Sequence, residues 1–222
     1  MLAWIGVAML VAAGGIAIRW MSARTDGLGR PRPFPYIAVV VLVALGCSAL
    51  APLVLRVRIE RRLASAASEL VGTKVEVRCQ SFGGAFVDVG ADLGYVVFGP
   101  DGKPEQRTLI KREQCADLSD YLSSDKQRPT RDQIVAVHVL THEAIHMTGV
   151  RNEAQTECMA MQSDAETALL LGASPEAAGE LAIAYWRDVY PWMPAAYRSE
   201  ECAPGKALDA GLPDAPWVLA TR

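Results

Sequence analysis

Two uncharged stretches near the start of the chain restrict its fold more than any other feature. Leu2 to Ile18 and Tyr36 to Leu55 hold no charged residue and are rich in Val, Ala, Ile and Leu. Each is about long enough to cross a bilayer at ~20 residues per span. Trp4, Trp20 and Tyr36 stand at or near the ends, where interfacial aromatics belong. Uncharged runs of this length at a chain's start rarely sit in a soluble core. A cleaved signal peptide is disfavoured because Arg19-Trp20-Met21 is a poor cleavage site. The expectation is an uncleaved helical hairpin in residues 1–57, spanning the membrane at about 2–18 and 36–55, followed by one domain in residues 58–222.

Two charge patterns bear on orientation. Arg19, Arg24, Arg30 and Arg32 lie between the spans, which keeps a short loop cytoplasmic and puts both the N-terminus and the large domain outside. Arg56, Arg58, Arg61 and Arg62 after the second span argue the opposite way. Cysteine usage decides for the exterior. Cys47 lies in the second span, leaving Cys79, Cys115, Cys158 and Cys202, with no C-x-x-C pair among them. An even set without metal-type spacing fits two disulfides in an oxidising compartment. The expected pairing is Cys79–Cys115 and Cys158–Cys202; four scattered buried thiols are the alternative.

The chemistry of the domain is concentrated in His142-Glu143-Ala144-Ile145-His146. On a helix, H-E-x-x-H puts two imidazoles one turn apart on one face, with the glutamate beside a metal-activated water. Thr130 with Gln133 forms a capping-box signature, apolar positions recur from Ile134 at helical spacing, and Gly149 suits a C′ residue. A helix over about 131–148 follows. The chain's third histidine, His138, lies one turn upstream and is expected to be a packed or solvent-edge residue rather than a ligand. Asn152 then caps a second helix that offers Glu153 and Glu157 one turn apart. In a helical hairpin turning near Val150, residue 142 faces about 158. That makes Glu157 the expected third zinc ligand and Glu153 a carboxylate behind a histidine. Three protein ligands leave a position open for water, as catalysis needs.

H-E-x-x-H followed by a glutamate on a second helix resembles the gluzincin metallopeptidases over residues 139–157. Asn152–Glu157 is also similar to the N-E-x-x-x-D motif of thermolysin-like members, which implies Glu153 as ligand and Glu157 in a supporting role. Here Glu157 replaces the aspartate, the gap between motifs is far shorter, and Thr148 holds a position usually hydrophobic. Both glutamates therefore stay open as the ligand. The resemblance also implies a zincin-like α+β domain, with substrate lying along an edge strand.

Elsewhere the pattern predicts a continuation of the second span toward Gly72, then a small antiparallel sheet. Its strands are expected at Lys74–Cys79, Phe86–Val89, Tyr95–Phe98 and Thr108–Ile110. Ser174-Pro175 opens a further helix to about Val189, and an irregular tail follows Pro191. Tyr185, Tyr190 and Tyr197 are candidate oxyanion donors, with core packing the commoner role. A net charge of −3 and a pI near 5.7 give no footprint for nucleic acid. The expected function is a membrane-anchored, zinc-dependent metallopeptidase acting on peptide or protein substrates, with Glu143 as catalytic base. A silent, metal-stabilised cell-surface binding module is the alternative.

Overall fold

The computed structural model describes residues 2–81 and 93–221. The chain divides into two compact units, Met1–Arg58 and Ile59–Arg222.

The first unit contains α1 (Leu2–Ser22) and the start of α2 (Tyr36–Val71), both long and apolar enough to cross a membrane. Their side chains point outward almost everywhere; Trp4, Val11, Ile37 and Val40 are largely exposed. The helices meet where both lack side chains. A Cβ on Gly6 would stand 3.0 Å from the Gly46 carbonyl oxygen, and one on Gly46 would stand 3.0 Å from that of Gly6. Such close backbone approach is how apolar helices associate without a hydrophobic driving force. At the end of α1, the Trp20 indole donates to the Arg32 carbonyl of the connecting loop at 3.0 Å and its ring meets Phe34 edge-on.

In the second unit α2 runs on to Val71, burying Leu63, Ala66 and Ala67. Its Glu60 accepts from the Cys79 backbone N–H at 3.0 Å, which anchors the first strand. The sheet has strands β1 (Glu76–Cys79), β2 (Gly94–Phe98) and β3 (Pro104–Ile110), with β3 in the middle. It is mixed rather than antiparallel. β2 pairs antiparallel with β3, but β1 pairs parallel with it, Val77 opposite Thr108. The chain reverses twice between β1 and β3, so two strands that end as neighbours must point the same way. The strand expected at 86–89 lies outside the described residues.

Four longer helices complete this unit: α3 (Arg112–Ser123), α4 (Arg131–Met147), α5 (Glu153–Leu170) and α6 (Pro175–Asp188). Helix α3, which the sequence pattern does not announce, buries Leu118 and Tyr121 fully in the main core with Ile110, Leu140 and Leu181. Each such leucine or isoleucine contributes about 1.5–3 kcal/mol. The Thr130 capping box is formed in full, and Gly149 has φ +106°, which a side-chain-bearing residue would resist. Asn152 and Ser174 cap α5 and α6.

The tail is more ordered than expected. It forms 3₁₀ turns at Tyr190–Trp192 and Ala195–Tyr197 and a short helix α7 (Pro216–Leu219), with Trp217 in a second core beside Tyr185 and Met161. Disulfides join Cys79 to Cys115 and Cys158 to Cys202, across separations of 36 and 44 residues. Loops of that length correspond to about 4 kcal/mol each from restriction of the unfolded chain.

Candidate metal centre

Helices α4 and α5 form the hairpin the sequence implies, and their facing sides interlock as a ladder. His138, His142 and His146 lie one turn apart on α4, while Glu153 and Glu157 lie one turn apart on α5. Each glutamate touches two histidines. Glu153 Oε2 is 3.2 Å from His142 Nε2 and 3.4 Å from His146 Nε2. Glu157 Oε2 is 3.0 Å from both His142 Nδ1 and His138 Nε2. His142 thus belongs to two overlapping groups that could hold a metal ion, His142–His146–Glu153 and His138–His142–Glu157.

The groups differ in how their atoms are matched. In the inner one, donors meet acceptors. His138 donates from Nδ1 to Asp164 Oδ2 at 2.9 Å and from Nε2 to Glu157, while the Tyr185 hydroxyl donates to Glu157 Oε1 at 2.5 Å. Tyr185 also stacks on His138 with ring centroids 3.6 Å apart. Burial opposes a charge on His138, but Asp164 and Glu157 together prevail and raise its pKa to about 10. Burial pushes the Glu157 carboxyl up, yet His138, His142 and Tyr185 hold it well below the usual range. Burial, then the Glu157 charge, keeps the Tyr185 phenol protonated.

In the outer group, a neutral His142 would leave acceptors facing one another. His146 Nδ1 lies 2.7 Å from the Val150 carbonyl, which can only accept, so the ring proton sits on Nδ1 and the Nε2 lone pair is free to bind. His142 likewise directs Nδ1 to Glu157, which orients Nε2 as a base. With both rings neutral, two imidazole lone pairs and a carboxylate oxygen would converge, an arrangement that a bound cation would reconcile. Burial, assisted by His142, lowers the His146 pKa and favours the neutral ligand form. The hydrogen bond from His142 outweighs burial and lowers that of Glu153. Burial opposes a charge on His142, but its bonds to Glu153 and Glu157 prevail and raise its pKa, so that without a cation a proton on Nε2 bridges to Glu153. Access differs too: the Glu153 side chain is 41 % exposed and that of Glu157 only 1 %.

A cleft of about 840 Å³ is lined by both groups, with Glu153 the more exposed of the two glutamates. Strand β2, at the sheet's edge among the described residues, forms one wall; Val139, Met193, Pro194 and Tyr197 contribute to the rest. Glu143 lines the cleft beside the histidines and is buried. Gly94 makes room for it, since a Cβ there would stand 2.9 Å from Glu143 Oε1. Of the three tyrosines, Tyr185 serves Glu157, Tyr190 bonds Ser199, and Tyr197 lines the cleft 5.9 Å from the His142 ring.

All the candidate residues of the two motifs thus share one site. Two features join the site without a motif to announce them, Asp164 and the stacking of Tyr185 on His138. Asp164 lies eleven residues, or about three turns, beyond Glu153, so a helical projection places it on the same face. Its pairing with His138 needed the tertiary contact. No protein-family model matches this chain, and no curated protein or solved structure matches it either.

Proposed function

We propose that this chain is a membrane-anchored zinc metallopeptidase of zincin type. The observation that carries this reading is the convergence of His142 Nε2, His146 Nε2 and Glu153 Oε2 beside Glu143, in a cleft walled by an edge strand. Tetrahedral zinc with bonds of about 2.0–2.1 Å separates neighbouring ligand atoms by ~3.3 Å. The 3.2 and 3.4 Å spacings to Glu153 match that edge. We therefore assign His142, His146 and Glu153 as ligands. Glu157 supports them by holding the His142 ring in its metal-binding tautomer, as carboxylates behind zinc-bound histidines do.

When bound, zinc supplies a Lewis acid for the scissile carbonyl and makes water acidic enough to deprotonate near neutral pH. Glu143 accepts the proton of the attacking water and delivers it to the leaving amine, first base and then acid. Edge strand β2 aligns an extended substrate by backbone hydrogen bonds. Tyr197 is the cleft phenol suited to donate to the developing oxyanion. The two apolar helices and two disulfides support an integral membrane protein whose second unit lies outside the cytoplasm.

The full chain in detergent tests this reading. Elemental analysis is expected to find one zinc per chain, and a peptide library is expected to be cleaved in a chelator-sensitive way. No zinc, or cleavage indifferent to chelator, would refute it. The ladder joining α4 to α5 favours one further reading, a metal-stabilised binding module. That reading predicts bound zinc and unfolding on chelation, but no hydrolysis.

A further inference from the structure

Outside the two metal-binding groups and Glu143, the cleft is lined by apolar and aromatic side chains with one charged exception among the described residues, Arg151. It stands on the link between α4 and α5, and its guanidinium carbon lies 4.6 Å from the centroid of the Phe98 ring on β2. Phe98 in turn meets the His146 ring edge-on at 6.2 Å. From another side the β2–β3 turn closes in: a Cβ on Gly102 would stand 3.1 Å from Arg151 Nη2. The side chain is exposed, yet it is braced by an aromatic face and a turn.

No carboxylate of the described residues lies within 4.0 Å of its guanidinium nitrogens, whereas Arg78 and Arg107 both pair with Glu76. Among the described residues, its hydrogen-bonding fork therefore has no carboxylate partner, and the side chain lines the cleft. A planar guanidinium backed by a ring is a carboxylate receptor, because its paired N–H groups match two carboxylate oxygens. Together the ring separations keep it within about 11 Å of the His146 ring. Extended chain covers that in roughly three residues at ~3.3 Å each.

We propose that Arg151 is a specificity-determining residue: it selects peptides that carry a carboxylate within about three residues of the bond cleaved. The carboxylate is either an acidic side chain or the C-terminal group of the substrate. This inference rests on the peptidase reading for the word "cleaved", but recognition of the carboxylate stands apart from turnover.

The test uses the zinc-loaded full chain in detergent and two sets of matched peptides. One set exchanges Glu for Gln at each position flanking the scissile bond, with both termini blocked; the other exchanges a free C-terminus for its amide. Wild type is expected to favour the carboxylate member of one set at least about fivefold in kcat/KM, and the set that responds identifies the source. Arg151→Gln is expected to reduce the ratio below about twofold, while Arg151→Lys retains part of it because the charge remains. Binding of the same peptides to the Glu143→Gln chain, by fluorescence anisotropy, reads recognition without hydrolysis. Arg151-dependent binding with no cleavage by wild type would sustain this inference and sink the peptidase reading. Equal treatment of carboxylate and amide by wild type, a preference that survives Arg151→Gln, or no binding of any peptide would overturn it.

Discussion

The outer and inner halves of the histidine–carboxylate ladder use the same two residue types to opposite ends. In the inner half, His138 lies between Asp164 and Glu157, Tyr185 stacks on it, and each contact pairs a donor with an acceptor. In the outer half, His142 Nε2, His146 Nε2 and Glu153 Oε2 converge at a solvent-reachable cleft. A buried imidazole flanked by carboxylates can thus be satisfied by hydrogen bonds alone. What separates the two halves is what meets the second ring nitrogen and how far water reaches it. Nε2 of His138 lies against a Glu157 side chain that is 1 % exposed, with Tyr185 stacked on the ring, whereas Nε2 of His142 and of His146 meets a Glu153 side chain that is 41 % exposed.

The sharpest break in that comparison comes from Glu143, which belongs to neither half. Glu143→Gln is expected to lower kcat by about 10²–10⁴ while zinc content, by elemental analysis, stays at wild type. Normal turnover in this variant would remove Glu143 from the chemistry. Next, Glu153→Gln should weaken zinc more than the ~10–100-fold expected when Glu157, behind a ligand, becomes glutamine. Competition with a chelating dye gives both numbers, and the reverse order would move the metal into the inner half.

His138→Gln probes the scaffold half alone. It leaves Asp164 and Glu157 facing each other without their shared partner, which costs about 3–5 kcal/mol. Denaturant unfolding of the metal-free protein should record that loss; an undiminished midpoint would mean the inner ladder contributes little. The smallest effect on stability is expected from Gly94→Ala. Its Cβ meets the far end of the Glu143 side chain, so the carboxylate shifts while the fold holds. Activity should fall with only a degree or so of change in Tm; unchanged activity would show that the position of Glu143 tolerates displacement.

Much of this arrangement was legible in the chain. The capping residues Thr130, Asn152 and Ser174 marked helix starts that the structure places at Arg131, Glu153 and Pro175. The four cysteines of the hydrophilic part announced two disulfides, and both join as expected. Helix α3 escaped notice because its apolar stripe is short and interrupted by charges, so its burial depends on what the rest of the domain sets against it. Mixed pairing in the sheet escaped for a related reason. Alternation reveals which residues extend, not which neighbour a strand will find.

The sequence by itself determined that His138, His142 and His146 share a face, and that Glu153 and Glu157 share another, since helical spacing is a local property. It also determined that Leu2–Ile18 and Tyr36–Leu55 must find apolar surroundings, since neither holds a charge. Only the tertiary structure decided which carboxylate oxygen meets which ring nitrogen. That choice turns on sliding one helix past its neighbour by a fraction of a turn, a distance set by packing throughout the domain and encoded in no single segment.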